Sequence, residues 1–269
     1  MTDLIVIPAR YGSTRLPGKP LIEIAGRTLL ARVADVARRA ADLAGNVEIV
    51  VATDDARIEA HARALRCAVA MTDSAIASGS GRAHAAASMR RRAPGILVNL
   101  QGDAPFVPPE VVAGLITAIR AGDAAVATPV VRMAWDDLDA MREHKRAAPF
   151  SGTTCVRGTD GRALWFSKAI LPAIRDEARL RATQARSPVF RHLGLYAYRM
   201  EALARFEAAA PSTYEVLEGL EQLRFLEMGI AIQTIEVTPP THAMSGIDTP
   251  EDVTLAESLI ARLGDPFDT

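Results

Sequence analysis

Cysteine is scarce: the 269 residues contain only Cys67 and Cys155. Neither has a Cys or His partner at metal-ligand spacing, which argues against a zinc site. Each lies in an apolar, β-like run and reads as a small buried thiol. Net charge is also nearly absent, at -1. No global basic field invites nucleic acid or an anionic membrane, so any anion site must be built locally. No apolar stretch approaches the ~18 residues of a membrane span. The chain begins directly on a strand-like run, 4–7, without a basic leader and cleavage site, so a cytoplasmic protein is expected. Neither Gly-x-Gly-x-x-Gly nor the Gly-x-x-x-x-Gly-Lys-[Ser/Thr] loop occurs, which counts against a dinucleotide-dependent oxidoreductase. Internal repeats and low-complexity linkers are absent too.

What remains is ordinary globular material, 49% hydrophobic and 23% charged, enough for a sizeable core. Alanine and arginine are abundant, and the arginines around Arg90 and Arg181 read as solvated faces. Short β-rich runs alternate with helical stretches. Strands are expected at 4–9, 47–53, 68–72, 96–100 and 124–129. Helices are expected at 27–40, 56–65, 81–92 and 108–119, with Asp54 or Asp55 capping the second. This alternation predicts an α/β fold with a parallel sheet covered by helices on both faces. Ligands then bind beyond the carboxyl ends of the strands. The second half predicts a hairpin from 153–157 and 162–167, a polar loop or arm over 168–188, and a strand at 192–199. An amphipathic helix at 214–228, a strand at 230–237 and a closing helix at 249–263 complete it, with Thr249 as cap and Pro250 at the first helical position.

Three constellations carry chemistry. Pro8-Ala9-Arg10-Tyr11-Gly12-Ser13-Thr14-Arg15-Leu16-Pro17-Gly18-Lys19-Pro20 follows the first strand. Its backbone N–H groups can face an anion while Arg10, Arg15 and Lys19 neutralise a triphosphate. Val98-Asn99-Leu100-Gln101-Gly102-Asp103-Ala104-Pro105 runs from a strand into a carboxylate positioned to hold magnesium between phosphate oxygens, with Gly102 allowing close approach of the ligand. In Gly246-Ile247-Asp248-Thr249-Pro250-Glu251-Asp252, Asp248 lies just outside a helix cap. Asp103 and Asp248 could share one or two hard cations.

These segments, with Phe166-Ser167-Lys168-Ala169, Arg191-His192-Leu193-Gly194-Leu195-Tyr196-Ala197-Tyr198-Arg199 and Glu218-Gly219-Leu220-Glu221-Gln222-Leu223-Arg224, resemble the CMP-Kdo synthetases. That family is 3-deoxy-manno-octulosonate cytidylyltransferase, and the resemblance spans nearly the whole chain in order. It implies a Rossmann-like nucleotidyltransferase fold of one domain (1–130 CTP-binding half, 131–245 β-rich acceptor and dimerisation region, 246–269 metal loop and closing helix). It also implies a homodimer and Mg²⁺ dependence. By matching position, Arg10, Ser13, Arg15 and Lys19 would hold the CTP phosphates, and Ser78 and Gly79 would lie near cytosine and ribose. Asp103 and Asp248 would bind metal. Gln101, His192, Tyr196, Glu218, Glu221 and Gln222 would line the acceptor pocket.

The pattern departs from the family around the acceptor. An aspartate, a histidine and a later acid of the family's third-strand motif are Ala75, Ile76 and Gly81 here. An asparagine and a lysine are Ser151 and Thr154, and the arginine of Phe-Ser-Arg is Lys168, which lacks a planar bidentate fork. The expected reaction is in-line attack of a small acidic acceptor on the α-phosphorus of CTP, with Arg15, Lys19 and Asp103 as the catalytic set. A Kdo-like sugar acid and a phosphonate such as phosphonoformate both stand as acceptors, and a nucleotide-binding regulator without turnover stands as the alternative from another class.

Overall fold

The computed structural model describes residues 2–12, 15–242, 244 and 246–268. β1 (Asp3–Pro8) is buried almost throughout, as a strand covered on both faces must be. A 3-10 turn (Lys19–Leu21) and a short ribbon, β2 (Glu23–Ile24) with β3 (Arg27–Thr28), lead into α1 (Leu29–Ala44). The Thr28 hydroxyl caps α1 by accepting from Ala31 N. Then follow β4 (Val47–Thr53), α2 (Ala56–Ala64) capped by Asp55, and β5 (Ala68–Met71). α3 (Gly79–Ser88), β6 (Ile96–Asn99), α4 (Pro109–Ala121) and β7 (Val126–Ala134) complete the first half. α3 starts before its expected first residue because Ser78 Oγ accepts from Gly81 N. The expected alternation is present, and β7 runs past Pro129.

The second half departs more. α5 (Trp135–Ala147) was not anticipated; it buries only Trp135 and Leu138 and so offers almost no apolar stripe to read. β8 (Thr154–Arg157) and β9 (Ala163–Ser167) form the expected hairpin. The segment expected as an arm instead contains α6 (Glu177–Thr183), with no buried residue, and the start of β10 (Arg186–His192). The expected strand at 192–199 is interrupted at Leu193-Gly194-Leu195 before β11 (Tyr196–Arg199). There the Thr128 hydroxyl donates to Leu195 O at 2.8 Å. α7 (Met200–Ala208) was also missed. The helix expected over 214–228 is two, α8 (Thr213–Glu218) and α9 (Gln222–Glu227), because Gly219 turns left-handed at φ 63° and ends the first. β12 (Ile232–Glu236) precedes α10 (Pro250–Leu263), whose start is locked by a capping box between Thr249 and Asp252.

One large sheet has the order β5-β4-β1-β6-β11-β7-β10-β8-β9, with β12 also pairing β7. β5, β4, β1 and β6 are parallel, as are β12 and β7, whereas β11, β10, β8 and β9 pair antiparallel. The β-rich region therefore extends the parallel core in the same sheet. Its far end returns to β12, where Arg162 bridges Gln233 and Thr234 N donates to Gly161 O at 2.9 Å. Alternation along β1 sends Ile5 and Ile7 to one core with Leu30, Val33 and Leu115, and Leu4 and Val6 to another with Leu97, Leu203 and Phe206.

Cys155 is buried as expected. Cys67 is half-buried and lies just outside β5 rather than in a strand. Arg91 and Arg92 are exposed and α6 buries no residue, so these are the expected solvated faces; on them Arg90 pairs with Glu48, and Arg181 pairs with Asp139 and Glu177 while lying 4.6 Å from the Trp135 ring centre. Among the described residues, no helix is long and apolar enough to cross a membrane.

Candidate active site

β1 and β6 are adjacent parallel strands, so the loops leaving their carboxyl ends emerge side by side. Gly102 makes that possible. A Cβ there would stand 2.4 Å from Pro8 O, closer than any side chain permits. The glycine thus serves the close approach of two protein segments, and it also lines the cleft described below. A third loop joins them from the far end of the chain: Ile247 N donates to Asp103 O at 2.9 Å. Asp252 Oδ2 accepts from both Asp248 N and Thr249 N at 2.9 Å, which fixes the Asp248 backbone and leaves its carboxylate free to turn inward.

The result is a compact charge cluster. Lys19 Nζ lies 2.9 Å from Asp103 Oδ2 and 3.1 Å from Asp248 Oδ1. Arg15 reaches Asp248 Oδ2 at 3.1 Å. The Lys19 side chain is 16% exposed and that of Arg15 63%, so the lysine contacts carry the electrostatic weight and the arginine contact little. Asp103 Oδ1 is buried and has no hydrogen-bond partner among the described residues. An orphaned carboxylate oxygen is costly unless a ligand satisfies it. It fits a hard cation, and with only two acids present such a cation would take its remaining oxygens from phosphate and water. Among the described residues, no group of three or more His, Cys, Asp or Glu side chains is placed to hold a metal by itself.

A cleft of about 420 Å³ opens over this cluster and is lined by Arg10, Arg15, Lys19, Ser78, Gly79, Gln101, Asp103, Glu221 and Asp248 together with Asn99, Ser80 and Arg82. Arg10 donates only to Ala77 O, at 3.3 Å, so its charge has no acidic partner among the described residues. Ser78 caps α3, which turns the amino end of that helix toward the cleft. Ser13 lies outside the described residues.

The residues expected at the acceptor pocket spread further. Gln101 Nε2 donates to Gly194 O at 2.7 Å. Gln101 and His192 also line an adjoining, mostly apolar cavity of about 580 Å³ with Phe106, Val131, Met133 and Met141. His192 is packed between Phe166 and Tyr196, and its Nε2 is 2.9 Å from Thr128 Oγ1. Because that hydroxyl already donates to Leu195 O, the imidazole is assigned as the Nε2–H tautomer. Burial, assisted by the Lys168 charge, pushes its pKa down to about 3, so it is a neutral donor. Glu221 accepts from Ser80 Oγ at 2.9 Å, whereas Glu218 turns away and accepts from Ser167 Oγ and Lys168 N, both at 2.8 Å. Tyr196 and Gln222 line neither cavity, yet the Tyr196 hydroxyl and Gln222 Nε2 are buried without partners.

Several contributors escaped sequence reasoning. Arg82 is 2% exposed and donates to Thr72 Oγ1, Asp54 Oδ2 and Ile76 O, anchoring the turn before Ser78. A lone arginine in an alanine-rich helix carries no signal for that. Asn99 is 6% exposed with Oδ1 unpartnered. A polar residue closing an otherwise apolar strand was the available clue.

A cytidylyltransferase family model matches residues 4–234. A 3-deoxy-manno-octulosonate cytidylyltransferase of Maricaulis maris is 39% identical over 98% of this chain and 99% of its own length. One from Nitratidesulfovibrio vulgaris is 41% identical over 95% and 94%. Among solved structures, a CMP:2-keto-3-deoxy-manno-octonic acid synthetase complexed with CTP superposes with a TM-score of 0.82 at 35% identity, covering 97% of this chain and 99% of that one. A 4-diphosphocytidyl-2C-methyl-D-erythritol synthase of Anaerococcus prevotii, 12% identical with a TM-score of 0.60, shares the fold.

Proposed function

Because the chain belongs to the CMP-Kdo synthetase family of cytidylyltransferases, we propose that it joins CMP from CTP to a Kdo-class sugar acid and releases pyrophosphate. The observation that carries this reading is the meeting of Arg15, Lys19, Asp103 and Asp248 from three distant segments in one cleft.

Arg10, Arg15 and Lys19 bind the triphosphate, and Lys19 exchanges its carboxylate partners for phosphate oxygens as the nucleotide enters. The acceptor hydroxyl oxygen attacks the α-phosphorus in line; the new O–P bond forms as the hydroxyl gives up its proton to water, and the bond to the α–β bridging oxygen breaks with its electron pair leaving on pyrophosphate. Arg15 and Lys19 stabilise that leaving charge. Asp103 and Asp248 would hold Mg²⁺, which supplies charge neutralisation and alignment when bound. Lys168 and Arg191 have no ion pair among the described residues; Lys168 acts on the charge state of His192, and Arg191 lines the adjoining cavity, so both are available to an acidic group. Ser78 and Gly79 face the nucleoside. The homodimer belongs to the same proposal: β9 and α8, joined by the Trp165–Tyr214 ring contact, leave Leu164, Val216 and Leu217 exposed.

Incubation with CTP, Mg²⁺ and separate acceptors (Kdo, other sugar acids, phosphonoformate) tests the reading. Pyrophosphate release with a CMP–sugar acid product, abolished by EDTA, is the expected result. Release with phosphonoformate alone, or with no acceptor, refutes it.

A further inference from the structure

Behind the charge cluster, the sheet face that carries Leu97 and packs against Phe206 of α7 turns polar at its carboxyl edge. Asn99 closes β6 and is in register with Tyr196 of β11. Ser80 and Glu221 stand over them and line the cleft. Behind these comes Glu207, from α7, which lines neither described cavity. Its Oε2 would lie 3.1 Å from a Cβ at residue 81, a position where Gly81 has no side chain. It therefore occupies space that a larger residue in the first turn of α3 would fill.

This carboxylate is poorly provided for. Glu207 Oε1 is buried without a partner, and so are Asn99 Oδ1, Gln222 Nε2 and the Tyr196 hydroxyl. With Asp103 Oδ1, these are all the buried orphan side-chain atoms among the described residues. Asn99 and Gln222 are only 6% and 5% exposed. Burial, and then the Glu221 charge, raise the Glu207 carboxyl above its ordinary pKa, against the pull of Arg224. A folded chain seldom keeps this many unsatisfied groups together without a ligand.

The set is chemically specific. Carboxylate and amide oxygens accept, an amide nitrogen donates, and a phenol does both. Together they match vicinal hydroxyls, each of which donates and accepts once. Two acids side by side repel a compact dianion.

We propose that Glu207 is a specificity-determining residue of the acceptor subsite, forming with Glu221 and Asn99 a wall that recognises hydroxyl groups and selects a polyhydroxylated acid over a bare phosphonate. This rests on the cytidylyl-transfer reading above and narrows its acceptor. The carboxylate missing at position 81 is supplied from position 207.

The test measures acceptor KM, kcat and CTP affinity for wild type, Glu207→Gln and Glu207→Ala. The wild-type acceptor profile tests the underlying reading; the variants test Glu207. Loss of one partner of a buried hydrogen bond predicts a rise of about tenfold in sugar-acid KM for Glu207→Ala, with CTP Kd within about twofold of wild type. The isosteric Glu207→Gln retains packing and should fall between. Because Glu207 Oε1 is buried without a partner and the carboxylate faces Glu221, Glu207→Ala should melt close to wild type despite losing Ser80 as a neighbour; a purely structural glutamate would lower melting temperature and CTP affinity together. Moving the acid, in Gly81→Asp/Glu207→Ala, should recover part of the lost KM. Unchanged sugar-acid KM in Glu207→Ala, or a parallel fall in CTP affinity and stability, overturns the assignment even if the wild type makes a CMP–sugar acid.

Discussion

Replacing Asp103 by Asn removes one charge and almost no volume, and its effects on folding and on turnover should differ widely. The loop that brings Asp248 into place is held through Asp103 O, a backbone atom, and survives the change. What is lost is the charge on an oxygen 2.9 Å from Lys19 Nζ, in a pair whose side chains are 16% and 25% exposed. A hydrogen bond to a charged group contributes about 1.5–3 kcal/mol. Solvent screening reduces that here to about 1 kcal/mol, since Lys19 keeps Asp248. In a chain of this size, Tm should fall by roughly 2–4 °C. Turnover should suffer far more, because the orphan Oδ1 has no other role in the protein. Loss of a preorganised charge at a transferring phosphoryl group predicts a fall in kcat of about 10³ or greater, near 4 kcal/mol of transition-state stabilisation. Pyrophosphate release over a range of Mg²⁺ concentrations, read beside thermal melting, separates the two effects. A variant that releases pyrophosphate at near wild-type rate, or one that loses activity only because it unfolds, refutes this placement of Asp103.

Gly102→Ala should destabilise by about 2–3 kcal/mol, since the new methyl group meets Pro8 O at 2.4 Å and one of two strand ends must move; urea denaturation measures it. Arg82→Met should cost about 3 kcal/mol by stranding Asp54 and Thr72, with CTP affinity falling as the Ser78 turn loosens, which titration calorimetry reads. His192, with a folded pKa near 3 against 6.5 for the free group, is protonated later than its unfolded counterpart. Its contribution is therefore present above 6.5 and is lost on acidification toward 3, at up to about 1.4 kcal/mol per pH unit; His192→Asn should flatten that slope in denaturation series at pH 7 and pH 5. Burial pushes the Cys155 thiol up to about 12, so a thiol reagent at pH 8 should label Cys67 slowly and Cys155 only on unfolding.

The transfer side of the site was legible because its signals are local. A cationic loop after an apolar strand, Gln-Gly-Asp after another and an acid beside a helix cap each declare themselves, and the strand-end rule says where they meet. β4 was read residue for residue for the same reason: it is an apolar run with a capped helix behind it. The acceptor side was less legible. α5 and α6 bury little and show no periodic stripe, and α8 and α9 share one amphipathic pattern that only the conformation of Gly219 divides. The approach of Glu207 to the space a side chain at position 81 would fill spans two helices and has no spacing to read.

The join between Gly102 and Pro8 O has a wider meaning. It sets the offset between cationic loop and carboxylate through main chain alone, so neither depends on its neighbours' side chains for position. The proposed acceptor wall is assembled from side chains: Gly81 lies in α3 and Glu207 in α7, whereas Ala75 and Ile76 precede α3 and Lys168 follows β9, so these exchanges all fall outside the Gly102–Pro8 join. On the proposed assignment, directed redesign of acceptor choice should begin at these side chains and leave the main-chain join untouched.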